Sequence, residues 1–242
     1  MPTTRSSRPS PASFATSPNP SPEEPDVSLT LHTHPFSSNG QKAQLMLDIV
    51  GLDYAVREVP FEAERADWHV AVNPMGGIPA LVDGDFHLAE SNTILCYLAD
   101  REGREDLYPR DPKERATIDW ILDLWALVVR PALFPYEAAQ YGIVLGLGAF
   151  AKDAAVEAEV QEKFDHAVPK LNQAMQVLDP VGPWACLGHH TIADIAATPV
   201  LHRLVHAPVD LSQVPRLQAW AEACLATPEW QALIPTCGVP KR

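Results

Sequence analysis

Apolar and polar positions first alternate at Ser28-Leu-Thr-Leu-His32, which puts Leu29 and Leu31 on one side of an extended chain, as a half-buried strand requires. From Lys42 to Val50 the spacing becomes helical, with Leu45 and Ile49 on one face and Gly51 to stop it. A second extended run covers Tyr54 to Val59, and an irregular helix is expected around Glu62 to Val70. Ala80-Leu81-Val82 and Phe86-His87-Leu88 are short extended segments joined by Asp83-Gly84-Asp85, which is turn chemistry, so the run is a hairpin. Glu90 or Ser91 can then cap the helix of Ile94, Leu95, Tyr97 and Leu98. The order β-α-β-α-β-β-α up to about Glu102 is an α/β unit, and parallel pairing of its first two strands requires the helix between them.

After Leu107-Tyr-Pro-Arg-Asp-Pro112 the pattern changes to long helices. Ile118, Ile121, Leu122 and Trp125 have helical spacing, as do Val160, Phe164, Ala167, Val168, Leu171, Met175 and Leu178, and both sets read as bundle core. Pro131 and Pro135 are expected to break or bend the first long helix, leaving an irregular stretch toward Tyr141 to Gly148 that fits a hydrophobic substrate wall or a plain interhelix loop. In Gly188-His-His-Thr-Ile-Ala-Asp194, Thr191 and Asp194 stand three apart, the spacing of a reciprocal capping box at a helix start.

The stretch from Asn73 to Leu98, with Pro79 at the hairpin entrance and Glu90-Ser91 at the next helix start, resembles the glutathione-binding half of the cytosolic glutathione transferases. The Gly188-x-x-Thr191-x-Ala-Asp194 pattern is similar to that family's buried helix in the second domain. The resemblance spans residues 27 to 236 and implies a thioredoxin-like βαβαββα domain over 27–106, an all-helical bundle domain over 112–236, and a homodimer. It also implies a cis Ile78-Pro79 bond, which turns the Ile78 backbone outward to pair with the cysteinyl backbone of bound glutathione. Glu90 would take the γ-glutamyl ammonium, and Ser91 with the helix amides would take the carboxylate. The second substrate would lie against the helical domain, with Leu127, Arg130 and Phe134 as candidate pocket residues.

The chemistry of such a family starts from the thiolate of glutathione as co-substrate. A free thiol has a pKa of about 8.5, and lowering it by two units needs about 2.7 kcal/mol. One charge-assisted hydrogen bond supplies roughly 1.5 to 3 kcal/mol, so a single hydroxyl or amide at a helix end suffices. Candidates are Ser37, Ser38 and Asn39, which follow the first strand. Zeta-class enzymes carry Ser-Ser-Cys-x-x-Arg there and nu-class enzymes Thr-Pro-Asn-Gly-x-Lys. Asn39-Gly40-Gln41-Lys42 favours the second pattern, and Ser38 in place of Pro departs from it. Ser37 is the first choice, although helix capping uses the same geometry. Many relatives place a long polar side chain just before the Ile-Pro pair, whereas Gly76 and Gly77 supply none. His69, Trp68 or Arg65 would have to compensate at Gly77, or the glycyl end is held weakly.

Charge and cysteine usage narrow the partners. With 18 Lys and Arg against 31 Asp and Glu over 242 residues, the formal net charge of -13 excludes nucleic acid as the main partner. No window approaches a membrane span. Cys96, Cys186, Cys224 and Cys237 are scattered, with no CxxC and no metal-ligand spacing, which suits a reduced, cytoplasm-like compartment and no metal. None follows the first strand, which argues against a thiol-disulfide oxidoreductase using its own cysteine. The first 26 residues are rich in Pro, Ser and Thr and read as a disordered tail rather than a transit peptide. The expectation is a glutathione transferase acting on a small, mostly apolar electrophile; the alternative, kept open by Gly77, is a non-catalytic regulatory or scaffold module of the same fold.

Overall fold

The computed structural model describes residues 29–60, 64–141, 154–180 and 182–234. The proline-rich tail expected at 1–26, the segment 142–148 and Cys237 lie outside the described residues. Strand β1 (Leu29–Thr33) is the pivot, with Leu29 and Leu31 fully buried. It pairs in parallel with β2 (Ala55–Glu58) and antiparallel with β3 (Ala80–Asp83), which pairs antiparallel with β4 (Phe86–Ala89), giving the order β2-β1-β3-β4. Helix α1 (Ser38–Val50) makes the parallel crossover and ends at Gly51, whose φ of 71° only glycine adopts without strain. The β3–β4 loop is Gly84-Asp85, with Gly84 at φ 60°, as a two-residue hairpin demands. Helix α2 (Asp67–Val70) is a single turn, shorter than the helix expected from Glu62, and Ala66 at its start offers no capping side chain.

Helix α3 (Ser91–Arg101) leads to the helical half: α4 (Pro112–Leu124), α5 (Arg130–Tyr141), α6 (Ala154–Met175), α7 (Ile192–Val205), α8 (Pro215–Leu225) and α9 (Pro228–Leu233). The prolines do not break the first long helix. A π turn over Trp125–Val129 joins α4 to α5 just before Pro131, and α5 continues through Pro135. The wider turn accommodates the missing amide and the ring of Pro131 without ending the helix.

Helix α7 is buried along all of Ile192 to Leu204, which marks it as the helix at the centre of the bundle. Its start is the expected capping box: Thr191 N donates to Asp194 Oδ2 at 2.8 Å. Asp194 Oδ1 also accepts from Ala185 N and Trp220 Nε1, each at 2.8 Å. One core runs from Leu31 and Leu47 through Ile94 and Leu98 to Ile195, Leu201 and Trp220, so the sheet layer and the bundle share it. Helix α1 packs on both α3 and α7, which sets its start between the two halves.

Candidate functional site

The sheet register places three segments at one end. His32 pairs with Ala80, and Ala80 with Ala89. The loop after β1, the Ile78-Pro79 entrance to β3 and the Glu90-Ser91 exit from β4 therefore meet at the same edge. The Ile78-Pro79 bond is cis, and Pro79 is buried.

Ser37 takes the N-cap of α1, and its Oγ accepts from Gly40 N at 3.0 Å. That bond uses a lone pair and leaves the hydroxyl proton to donate elsewhere, a donor strengthened by the amide it accepts from. Ser38 is the first helical residue, and Asn39, the next, is exposed. A Cβ on Gly40 would lie 1.7 Å from Thr33 Oγ1, so glycine is what lets α1 start this close to β1. The loop is tied down by Gln41 Nε2 donating to Pro35 O at 2.7 Å and Phe36 N to His34 Nδ1 at 3.2 Å. From α7, Arg203 Nη2 donates to Phe36 O at 2.5 Å while its Nη1 holds Glu137 Oε1 at 2.6 Å. Arg130 pairs with the other Glu137 oxygen at 2.5 Å.

At the second helix start, Glu90 rather than Ser91 occupies the N-cap, and its side chain bonds none of the helix amides. Glu90 sits at φ 66°, a region that costs a residue with a side chain on the order of 1 to 3 kcal/mol. Ser91 is the first helical residue and is nearly buried, while the Glu90 side chain is exposed. Among the described residues, the leading amides of α3 thus have no side-chain acceptor, at the positive end of the helix dipole.

His69, one of the three residues expected to compensate at Gly77, is turned inward. Its side chain is fully buried; Nε2 lies 3.0 Å from Gly77 O and Nδ1 3.3 Å from His32 Nδ1. Both ring nitrogens are occupied, and Asn73 Nδ2 adds a second bond to Gly77 O at 2.8 Å. His69 therefore fixes the backbone before the Ile78-Pro79 bond. Arg65 Nε donates to Gly76 O at 2.9 Å, and Trp68 lies beneath Arg57, 3.7 Å from its guanidinium carbon. Burial, followed by the charge of His69, pushes the His32 pKa down from 6.5 to about 4. Between these values the unfolded chain binds the extra proton, so stability present above pH 6.5 is lost as pH falls toward 4. His32→Asn is expected to flatten part of this acid limb, on the order of 2 kcal/mol, in urea melts taken from pH 7 to 4. An unchanged limb would remove His32 as its source.

A family model described as the glutathione S-transferase N-terminal domain matches residues 27–100, and one described as the C-terminal domain matches residues 124–228. The chain belongs to the glutathione S-transferase family. It is similar to "Glutathione S-transferase D7" of Anopheles gambiae, 32% identical over 200 residues, covering 80% of this chain and 84% of that protein. It is also similar to a Triticum aestivum glutathione S-transferase, 29% identical over 204 residues, covering 83% and 90%. Among solved structures, the theta-class glutathione S-transferase of Xanthomonas axonopodis pv. citri with glutathione bound superposes with a TM-score of 0.69 at 25% identity, covering 85% of this chain and 96% of that one.

In this transferase the three candidates for the second-substrate pocket differ in exposure. Leu127 on the π turn and Phe134 on α5 are 74% and 42% exposed, while Arg130 lies half-buried against Glu137, with its guanidinium 5.1 Å from the Phe134 ring. Phe36, beside Ser37, is a further exposed aromatic residue that periodicity gave no reason to single out. Sequence reading also missed Arg203, whose contact with Phe36 O joins residues 167 apart in the chain. Among the described residues no group of three or more His, Cys, Asp or Glu is arranged to hold a metal, and no helix is long and apolar enough to cross a membrane.

Proposed function

We propose that this glutathione transferase binds the tripeptide across the open end of its sheet, with the carboxylate of the γ-glutamyl end on the uncapped amides of α3 beside Ser91. The observation that carries this reading is the meeting of those free amides with the Ser37 hydroxyl and the cis Ile78-Pro79 backbone at one edge. Glu90, exposed at the cap, takes the γ-glutamyl ammonium, and Ile78 pairs with the cysteinyl backbone. Ser37 donates its free proton to the sulfur and stabilises the thiolate; Ser38 and Asn39 flank it at the start of α1. The missing side chain at Gly77 is offset by a backbone held from two sides, by His69 and Asn73. The theta-class relative with glutathione bound supports the ligand, and the curated relatives support turnover over a scaffold role.

The thiolate attacks a small, mostly apolar electrophile held near Leu127, Phe134 and Arg130. Conjugation, dehalogenation, ether cleavage, disulfide reduction and isomerisation all begin with the same thiolate, and the pocket chooses among them. A cytoplasmic homodimer engaged in detoxification fits the family and the reduced cysteines.

Thermal unfolding across a glutathione titration tests the site. Ligand at about a hundred times its dissociation constant is expected to add roughly 2.7 kcal/mol of stability, and Ser91→Ala to need at least several-fold more glutathione for the same shift. Ser37→Ala should still bind but raise the pKa of the bound thiol by about two units, read from thiolate absorbance against pH. A Ser37→Ala complex with an unchanged thiol pKa would move the role to Ser38 or Asn39.

A further inference from the structure

Lys42 is a buried charged residue whose hydrogen-bond partner is a neutral amide. It lies on α1 with 4% of its surface exposed. Its Nζ donates to Asn92 Oδ1 at 2.6 Å, and among the described residues no carboxylate forms an ion pair with it. A buried ammonium with an amide for a partner and no counter-ion is costly unless a charge arrives or the proton leaves.

Asn92 is the second residue of α3, and its Nδ2 donates to Leu122 O of α4 at 3.4 Å. The amine is thus coupled through one side chain to the helix turn whose leading amides have, among the described residues, no side-chain acceptor. The groups that act on it electrostatically are Arg130 from α5, Glu90 at the cap of α3 and Cys96 within α3. On α7, Arg203 is engaged with Glu137 and Phe36 O, and His202 accepts from Trp230 Nε1 of α9. On β1, His32 is turned to His69. Arg130 opposes a proton on Lys42, and among the described residues the exposed Glu90 is the carboxylate acting in its favour. Burial first, and Arg130 second, bring the Lys42 pKa from 10.5 down to about 7.

We propose that Lys42 is a positioning residue of the glutathione site: held through Asn92 at the first turn of α3, its amine takes up a proton when a carboxylate occupies that turn. The inference rests on the glutathione reading above and adds a proton linkage to it. The incoming negative charge, in a low-dielectric setting, favours the charged amine, and by reciprocity the charged amine favours the anion. The proton comes from solvent. Below about pH 6 the amine is charged before the ligand arrives; above it, binding must recruit the proton, so affinity falls as pH rises from 7 to 8.

S-methylglutathione is the suitable probe, since its blocked sulfur cannot release a proton. Calorimetric titration in buffers of low and high ionisation heat reads the proton count directly. Wild type is expected to take up about half a proton per site at pH 7, more at pH 8 and almost none at pH 5.5. Lys42→Arg, charged throughout, should bind with no uptake and a flat pH profile over this range. Lys42→Met should bind about tenfold more weakly, also without uptake. Binding by the wild type without proton uptake, or uptake that persists in Lys42→Arg, would overturn the proposal and leave Lys42 a packing residue. If neither wild type nor Lys42→Arg binds the probe at millimolar concentration, the glutathione reading fails first and the linkage with it.

Discussion

Glu137→Gln is expected to destabilise the protein by about 3 to 5 kcal/mol, because it removes the one anion from a buried cluster with two cations. Glu137 is fully buried, with Arg203 Nη1 at 2.6 Å and Arg130 Nη1 at 2.5 Å from its two oxygens. The Arg203 side chain is only 5% exposed, so water cannot replace the lost carboxylate at that end. Glutamine fills the same volume, so the loss reports charge rather than a cavity. Urea unfolding at constant slope measures it as a shift in midpoint. Because Arg203 also holds Phe36 O, the loop bearing Ser37 should loosen in the same variant, visible as faster amide exchange from Phe36 to Gly40. Replacing Glu137 and Arg203 together by methionine is expected to recover much of the stability but not the loop order. A midpoint shift worth under 1 kcal/mol for Glu137→Gln would show that the cluster is solvated and not a clamp.

The second large effect is expected at Asp194→Ala. One carboxylate accepts from Thr191 N, Ala185 N and Trp220 Nε1 at 2.8 Å each, and from Thr191 Oγ1 at 3.1 Å. Asp194 and Thr191 are fully buried, and alanine would strand three N–H donors at about 1 to 3 kcal/mol each. A loss of 4 kcal/mol or more is comparable to the whole stability of a typical domain, roughly 5 to 15 kcal/mol. Asp194→Ala should therefore give little soluble protein and a melting temperature lower by ten degrees or more. Asp194→Asn, which keeps one acceptor oxygen, should fall between. Wild-type melting in Asp194→Ala would mean that the capping box and the Trp220 bond are incidental to folding.

Much of the fold could be read from local pattern. The hairpin followed from its turn residues, α1 stopped at Gly51, and the box at Thr191 marked the start of α7, because each signal is set by residues within a few positions of one another. Ser37 and the Glu90-Ser91 pair were visible for the same reason, although one-residue ambiguity at the cap hid that Glu90 takes the left-handed position. The pairs that organise the site were not visible. Lys42 meets Asn92 across 50 residues, and Arg203 meets Phe36 across 167, and neither pair has a sequence period to betray it. His69 shows the same limit from the other side: a histidine in a suggestive place is buried and holds the Gly77 backbone, a contact the sequence does not announce. The prolines of the long helix were expected to break or bend it; a π turn answers Pro131 without ending the helix, an option the single sequence does not announce.

The π turn at Trp125–Val129 also acts as a phase adjuster. Each residue advances a helix by about 100°, so the surplus residue of a wide turn rotates everything downstream by about that angle relative to α4. Ile118, Ile121 and Leu122 upstream and Leu133, Tyr136 and Glu137 downstream are all buried on either side of it. Deleting a single residue there would restore an unbroken α-helix with Glu137 still facing Arg203, whereas straightening the turn with all its residues kept would swing Glu137 away by about 100°. The ion pair the helix carries thereby holds its surplus residue in a wide turn, at a point where a straight helix would be the easier thing to build.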